Sequence, residues 1–286
     1  MLLPKVIWIF WMQGELAAPE LVKRCIASWR KLNPCWETVV LDENNYQDYV
    51  DIGIKQDDFR QLGIPMRSDL LRLALLDRYG GVWVDATVLC WLPLDLFVHA
   101  YVSGSGFFAF SRSRGERVIS SWFLAAIPNH PIIRRWKQCL CQYFILNPPC
   151  YDHSKVSMIC HKLFREVFRL NSALTLLWLR PGIIRLSGRY PYFLLHYFFR
   201  ALISSDNEIK ELWGLTPKIS SQPCKTLSKI ASEPAPDAQT AKYILDEASY
   251  MFKLSHKSKP LQVVKNGSWL DFVFRYVNGD ARGGQV

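Results

Sequence analysis

The stretch GGVWVDATVLC, from Gly80 to Cys90, sets one carboxylate in the middle of an apolar run. A glycine pair followed by bulky apolar residues reads as a turn leading into a buried strand from Val82 to Leu89. Burying a lone ionised Asp costs far more than a typical contact returns unless partners compensate the charge. The fold must therefore bring positive charge or hydrogen-bond donors to Asp85. The two-residue period of a strand puts Trp83, Asp85 and Thr87 on one face, so the partners must reach that face.

The elements around this stretch argue for an α/β fold. Lys5 to Met12 (KVIWIFWM) is a continuous apolar run ending near Gly14, the pattern of a fully buried strand. Between Pro19 and Leu32, Leu21, Val22, Cys25, Ile26 and Trp29 recur at helical spacing, with Pro near the start. Trp36 to Leu41 reads as a second strand before an Asp/Asn-rich loop. Ser68 is expected to cap a helix running through Arg78, stopped by Gly80 and Gly81. This β-α-β-α-β order predicts a mostly parallel sheet with helices on both faces, in which ligands lie beyond the carboxyl ends of the strands. Asp85 lies toward that end of its strand.

Farther along, Phe107 to Phe110 is a strand candidate and Ser120 to Ala126 a helix or strand. Asn129-His130-Pro131 reads as a cap before a Pro-started helix. Residues 132–203 are mainly helical in pattern, with breaks at Pro148-Pro149, Pro181-Gly182 and Pro191. Ser220 to Gln239 reads as a polar surface loop, and the tail after Asn278 as disordered.

Composition narrows the classes of function. No uncharged apolar run reaches the roughly 18 residues a membrane span needs, and MLLPKVIWIFWMQG reads as a first strand and not a signal peptide. The eight cysteines are scattered without a C-x-x-C pair, which suits reduced thiols in the cytoplasm. The net charge of +10 is unevenly placed: residues 101–203 hold 14 Lys/Arg against 3 Asp/Glu, while residues 1–100 are slightly acidic. That basic, aromatic-rich third suits an anionic membrane or a phosphate-bearing ligand. Tyr192 to Phe199 (YFLLHYFF) is apolar almost all round and is expected to contribute interfacial contact. No nucleic-acid motif accompanies the charge, and nucleic-acid binding would leave the acidic positions unexplained.

Asp69 and Arg72 lie three apart, so they neighbour each other on one helical face. If the helix and the following strand return on each other, Asp69, Arg72 and Asp85 could meet at one polar point. The combination S-D-x-x-R, a helix, then G-G-x-W-x-D-x-T resembles the core of family 32 glycosyltransferases. It is most similar to the bacterial capsular polysaccharide synthesis proteins, and the glucosylating domains of large clostridial toxins share this core. Pro4-Lys5-Val6-Ile7 with Trp11 and Gly14 resembles the family's opening motif.

The resemblance implies a nucleotide-sugar-dependent glycosyltransferase of the GT-A fold, one catalytic domain over 1–286. Its parts would be a donor-binding core (1–131), a basic helical region (132–205), a C-terminal part completing the site (206–278) and a tail (279–286). Carried over by residue, Trp11 would stack on the base, although a tryptophan there also reads as core. Asp69 would bind sugar hydroxyls, Arg72 would orient the sugar and the phosphate, and Asp85 would face the ribose and a metal shell. Trp83 holds the family's aromatic position. These residues form the expected catalytic (Asp69, Arg72, Asp85) and donor-binding sets, with Lys253 and Lys257 added as diphosphate contacts. Asp85, Thr87 and His256 are the expected ligands of Mn²⁺ or Mg²⁺; Thr87 supplies a neutral oxygen where two-acid relatives carry a carboxylate. The basic run around His256 reads equally as a solvated loop, and Trp269 as a late aromatic on the core. The implied reaction is retaining transfer to a lipid-linked capsular or surface glycan at the inner face of the cytoplasmic membrane. A glycan- or nucleotide-sugar-binding protein that has lost catalysis is the alternative.

Overall fold

The computed structural model describes residues 2–112, 117–149, 155–171, 173–255 and 264–278. In chain order these carry β1 (Val6–Phe10), α1 (Glu20–Leu32), β2 (Glu37–Leu41), α2 (Ile64–Tyr79), β3 (Gly81–Asp85), β4 (Val88–Cys90), β5 (Phe107–Ser111) and β6 (Ile119–Ala126). They continue with α3 (Pro131–Leu146), α4 (Lys155–Arg169), α5 (Pro181–Ser187), α6 (Leu194–Ser205), α7 (Asn207–Leu215), α8 (Ala238–Ala248), β7 (Met251–Lys253) and α9 (Trp269–Asn278). The class is α/β with a mixed five-stranded sheet: β2, β1 and β3 keep the expected parallel arrangement, and the pair β5 and β6 departs from it. The pair β5 and β6 is antiparallel because a short connection joins them, whereas parallel neighbours need a crossover.

The chain falls into two compact units. One comprises the described residues through Pro4, Tyr46–Gly81 and Val102–Ile219; the other comprises Lys5–Asn45, Val82–Tyr101 and the described chain from Ser220 on.

In the second unit, β1 pairs in parallel with β2 on one side and β3 on the other, with Phe10 opposite Leu41 and Asp85. β1 is buried along its whole length, as its unbroken apolar run requires. The expected single strand Val82–Leu89 is interrupted: Ala86 and Thr87 form a turn, and β4 leaves to pair antiparallel with β7. No Gly or Pro marks that turn. What holds it is α1, whose Trp29 indole donates to the Val88 carbonyl at 2.7 Å and whose Ser28 hydroxyl accepts from the Cys90 N–H at 2.9 Å.

The rest of this unit folds onto that corner. Leu21 and Cys25 of α1 share a buried cluster with Leu89, Phe252 of β7, Leu245 of α8 and Val273 of α9. Trp269 belongs to the same cluster, so its core reading is the right one. The stretch Ser220–Gln239 is not simply a surface loop. Pro223–Lys225 and Thr226–Ile230 are helical turns, and Leu227 and Ala231 are buried in the cluster. Their i, i+4 spacing supplies a small apolar face beneath a polar exterior.

In the first unit, α2 starts earlier than Ser68. Gly63 precedes it and Pro65 occupies its first turn, so Ser68 lies inside the helix. Leu70 through Asp77 are all buried, which makes α2 a central helix. Its polar end is held by α3 and the loop before it: Asp77 pairs with Lys137 of α3, and its carbonyl accepts from the Asn129 N–H at 2.7 Å. Ser120–Ala126 resolves as strand. His130 caps α3 by accepting from the Ile132 N–H at 3.2 Å, as the Asn-His-Pro pattern predicts. Tyr192–Phe199 is corrected more fully. Leu194 to Phe199 are buried in α6, where Phe199 packs on Phe107, Trp136 and Trp213. Its all-round apolarity is used inside the unit, and only Tyr192 of that stretch is strongly exposed.

Gly80 ends α2 with φ +65°. A Cβ there would stand 2.6 Å from the Pro128 nitrogen and 2.7 Å from the Ala126 carbonyl, both rigid backbone. Gly80→Ala is expected to lower unfolding stability by about 2 kcal/mol or more in denaturant melts. Gly214→Ala, where an added Cβ meets nothing within 4 Å, is expected to stay within about 1 kcal/mol of the parent.

Candidate functional site

Asp85 is the last residue of β3 and pairs in register with Phe10, the last residue of β1. Trp11 follows immediately, in the turn beyond β1, half-buried and with its N–H donating to the Leu41 carbonyl at 2.9 Å. Trp11 and Asp85 therefore stand at the carboxyl edge of neighbouring parallel strands. Trp8, three residues earlier, is the buried tryptophan within β1.

The compensation that Asp85 requires comes from two directions. Trp83, on the same strand face, is buried and donates its indole N–H to Asp85 Oδ1 at 3.2 Å. Its contribution is to position the carboxylate through that edge. Lys253 Nζ donates to Asp85 Oδ2 at 2.9 Å and to Thr87 Oγ1 at 2.7 Å. Lys253 reaches both because β7 lies antiparallel on β4, with Lys253 opposite Val88, and because the Leu254 N–H donates to the Thr87 carbonyl at 2.9 Å. The Ala86–Thr87 turn, absent from the sequence expectation, is what turns the Thr87 hydroxyl toward the same ammonium. The ion pair is part-exposed, with side chains 23% and 30% accessible, so a ligand can approach it.

Asp69 and Arg72 lie on α2 in the first unit. Arg72 Nη1 meets Asp69 Oδ1 at 2.6 Å, and Nη2 donates to the Ser68 hydroxyl at 3.1 Å. Ser68 thus supports the guanidinium instead of capping the helix. The pair is nearly sealed, with side chains 5% and 14% accessible. Removing one partner from so buried a pair strands a charge, so this arrangement is costly to build on the chance of a surface ion pair.

His256 and Lys257 lie outside the described residues. Among the described residues, no group of three or more His, Cys, Asp or Glu side chains gathers to hold a metal. Asp85 with Thr87 offers one anionic and one neutral oxygen. The Lys253 ammonium rests on both oxygens, so the set fits a hard cation only when it is shared with a diphosphate that draws the ammonium away, and not one held by protein groups alone. The nearby thiols are unsuited to metal binding: burial pushes Cys25 and Cys90 up to about 12.

The sequence profile described as "Capsular polysaccharide synthesis protein" matches residues 2–175. The chain is 30% identical over 152 residues to the O-glycosyltransferase braB of Annulohypoxylon truncatum, covering 46% of this chain and 36% of that protein. It is 36% identical over 101 residues to the glycosyltransferase afumC of Aspergillus fumigatus, covering 31% and 26% respectively. The chain thus spans only about a quarter to a third of the length of these curated relatives. Among solved structures it is similar to the PaToxG glycosyltransferase (TM-score 0.37, 17% identity, 76% of this chain and 88% of that one). It is also similar to the ligand-free glycosyltransferase domain of the YGT toxin (TM-score 0.43, 11% identity, 76% and 80%).

A double-mutant cycle with Asp85→Asn and Lys253→Met is expected to give a coupling of about 1 kcal/mol in denaturant unfolding, modest because water screens the pair. Additive effects of the two substitutions would show that the ammonium does not compensate this carboxylate.

Proposed function

We propose that this chain, which belongs to the capsular polysaccharide synthesis protein family, is a glycosyltransferase that binds a nucleotide-sugar donor at the carboxyl ends of β1 and β3. The observation that carries the reading is Lys253, whose ammonium rests on both Asp85 and Thr87. A sugar nucleotide departs as a diphosphate that gains negative charge in the transition state, and a fixed cation at that point lowers the barrier. Lys253 supplies such a charge, and Thr87 helps hold it. Asp85 faces the ribose and diphosphate, and Trp11 offers its ring to the base.

On this reading Asp69 accepts hydrogen bonds from the hydroxyls of the donor sugar, and Arg72 orients Asp69 and the sugar. Mn²⁺ or Mg²⁺ belongs to the proposal as well: Asp85 and Thr87 would hold it with phosphate oxygens once the Lys253 ammonium gives up these two oxygens for the diphosphate, and it would add to the neutralisation of the leaving group. Transfer is of the retaining kind, within a GT-A-type scaffold. The acceptor hydroxyl oxygen bonds to the anomeric carbon on the face from which the diphosphate leaves. The carbon–oxygen bond to the diphosphate breaks, and the hydroxyl proton passes to the departing phosphate oxygen. The acceptor is an oxygen nucleophile on a surface or lipid-linked glycan; the O-glycosyltransferase name of the relative braB supports the oxygen acceptor.

Thermal-shift and calorimetric titration with UDP-, GDP- and other sugar nucleotides, with and without Mn²⁺, tests this reading. One donor class is expected to bind, and Asp85→Ala is expected to lower its transfer or hydrolysis by about 10² to 10³. Lys253→Met is expected to weaken the diphosphate more than the nucleoside. A parent that binds a donor but neither transfers nor hydrolyses it would establish the binding-protein alternative. Asp85→Ala with undiminished turnover would remove the assigned site.

A further inference from the structure

More than half of the strongly exposed large hydrophobic residues in the described chain fall between residues 145 and 192. Five of them, Val156, Met158, Ile159, Leu163 and Val167, lie on α4, which has an apolar face to spare. One face is anchored in the first unit: Ser157 and Phe168 are buried, Phe164 stacks on Phe168, and His161 and Phe168 pack on Trp178. A second stripe, Val156, Ile159, Leu163, Val167 and Leu170, repeats at three- and four-residue steps and therefore lines one side of the helix. Its members are 46% to 83% exposed. Aliphatic residues in such a row give up the stabilisation that burial would provide, and a contiguous patch of this kind marks an interaction surface. Leu177 and Leu186, on the elements that pack against α4, extend the patch.

The charge beside the stripe is almost wholly of one sign. Lys155, Lys162, Arg165, Arg180 and Arg185 are exposed, while between residues 155 and 200 the one acid in the sequence is Glu166, which pairs with Arg165 at 3.0 Å. The field reaches the anchored face too: burial first, then Arg189 and Arg165, hold the His161 imidazole below its ordinary value. A second copy of the chain would bring these cations face to face, which disfavours self-association through this patch. An apolar stripe beside dense Lys and Arg is the composition of a helix lying in the plane of an anionic bilayer. Among the described residues, no helix is long and apolar enough to cross a membrane.

We propose that α4, with Arg180 and Arg185, docks the first unit on the surface of an anionic lipid bilayer. The stripe enters the region between head groups and acyl chains, and the cations meet the lipid phosphates. The site is independent of the donor reading, and it replaces Tyr192–Phe199 as the expected membrane contact.

The test is sedimentation of the intact protein with vesicles of phosphatidylcholine alone or mixed with phosphatidylserine, at low and high salt. Binding is expected to the mixed vesicles and to fall with salt. Ile159→Ser with Leu163→Ser, and separately Lys162→Glu with Arg180→Glu, are each expected to weaken it by about tenfold or more. All four side chains are exposed, and a thermal melt checks that the variants fold. Hydrogen exchange on the unmodified protein gives a second readout, with protection expected to rise over 155–170 when vesicles are added. Absent binding to mixed vesicles at low salt, unchanged binding of the first variant pair, or no gain of protection would each overturn the proposal. So would a dimer that the Ile159/Leu163 substitutions dissociate, since a second copy would then cover the stripe.

Discussion

One ammonium decides how this chain can carry a carboxylate at the end of a buried strand. Lys253 rests on Asp85 and Thr87 although 168 and 166 positions separate it from them. Everything in the second unit that follows Ser220 serves to bring it there. Leu227, Leu245, Phe252 and Val273 close a core over α1, and that core holds β7 against β4. The three-residue ladder between those strands is too short to stand alone. It persists because Phe252 is buried beneath it and because Trp29 and Ser28 fix the partner strand. The charged pair is thus a product of hydrophobic packing some distance from it.

The two polar clusters differ in the kind of work their surroundings allow. Asp69 and Arg72 are nearly closed to water, so their geometry is stiff and their mutual attraction weakly screened. Asp85 and Lys253 are open enough for an anion or a cation to exchange for one partner. A stiff pair suits recognition of neutral hydroxyl groups, where direction matters. An open pair suits a group whose charge changes during reaction.

Legibility in the sequence followed the range of the forces involved. β1, α1 and β2 were readable because periodic apolar residues and nearby Pro and Gly are local signals, and the His130 cap was readable for the same reason. Carbon-end placement of Asp85 followed from the β-α-β order. The break at Ala86–Thr87 was not readable: neither residue is a turn former, and the bend is imposed by hydrogen bonds from α1 and by a strand 160 positions downstream. Ser68 looked like a cap because its type fits one, whereas Pro65 and Gly63 were the better boundary signals. Tyr192–Phe199 was misjudged because all-round apolarity fits both a lipid surface and a helix enclosed by aromatic neighbours. Lys253 was singled out for phosphate, but its partner in the same unit could not be read, since no local pattern links residues so far apart.

The late position of β7 has a consequence for biogenesis. Chains emerge from the ribosome at about 5 to 20 residues per second, and contacts between distant positions form only after both have emerged. When Asp85 and the strand that carries it first leave the exit tunnel, Lys253 has not been made. For that interval β4 has no antiparallel partner and the carboxylate has no cation. The nascent chain therefore passes through a stage with an open strand edge and a solvent-seeking acid beside it. Chaperone dependence, and the yield of soluble protein from a given host, should be governed by how that interval is bridged rather than by the stability of the finished fold.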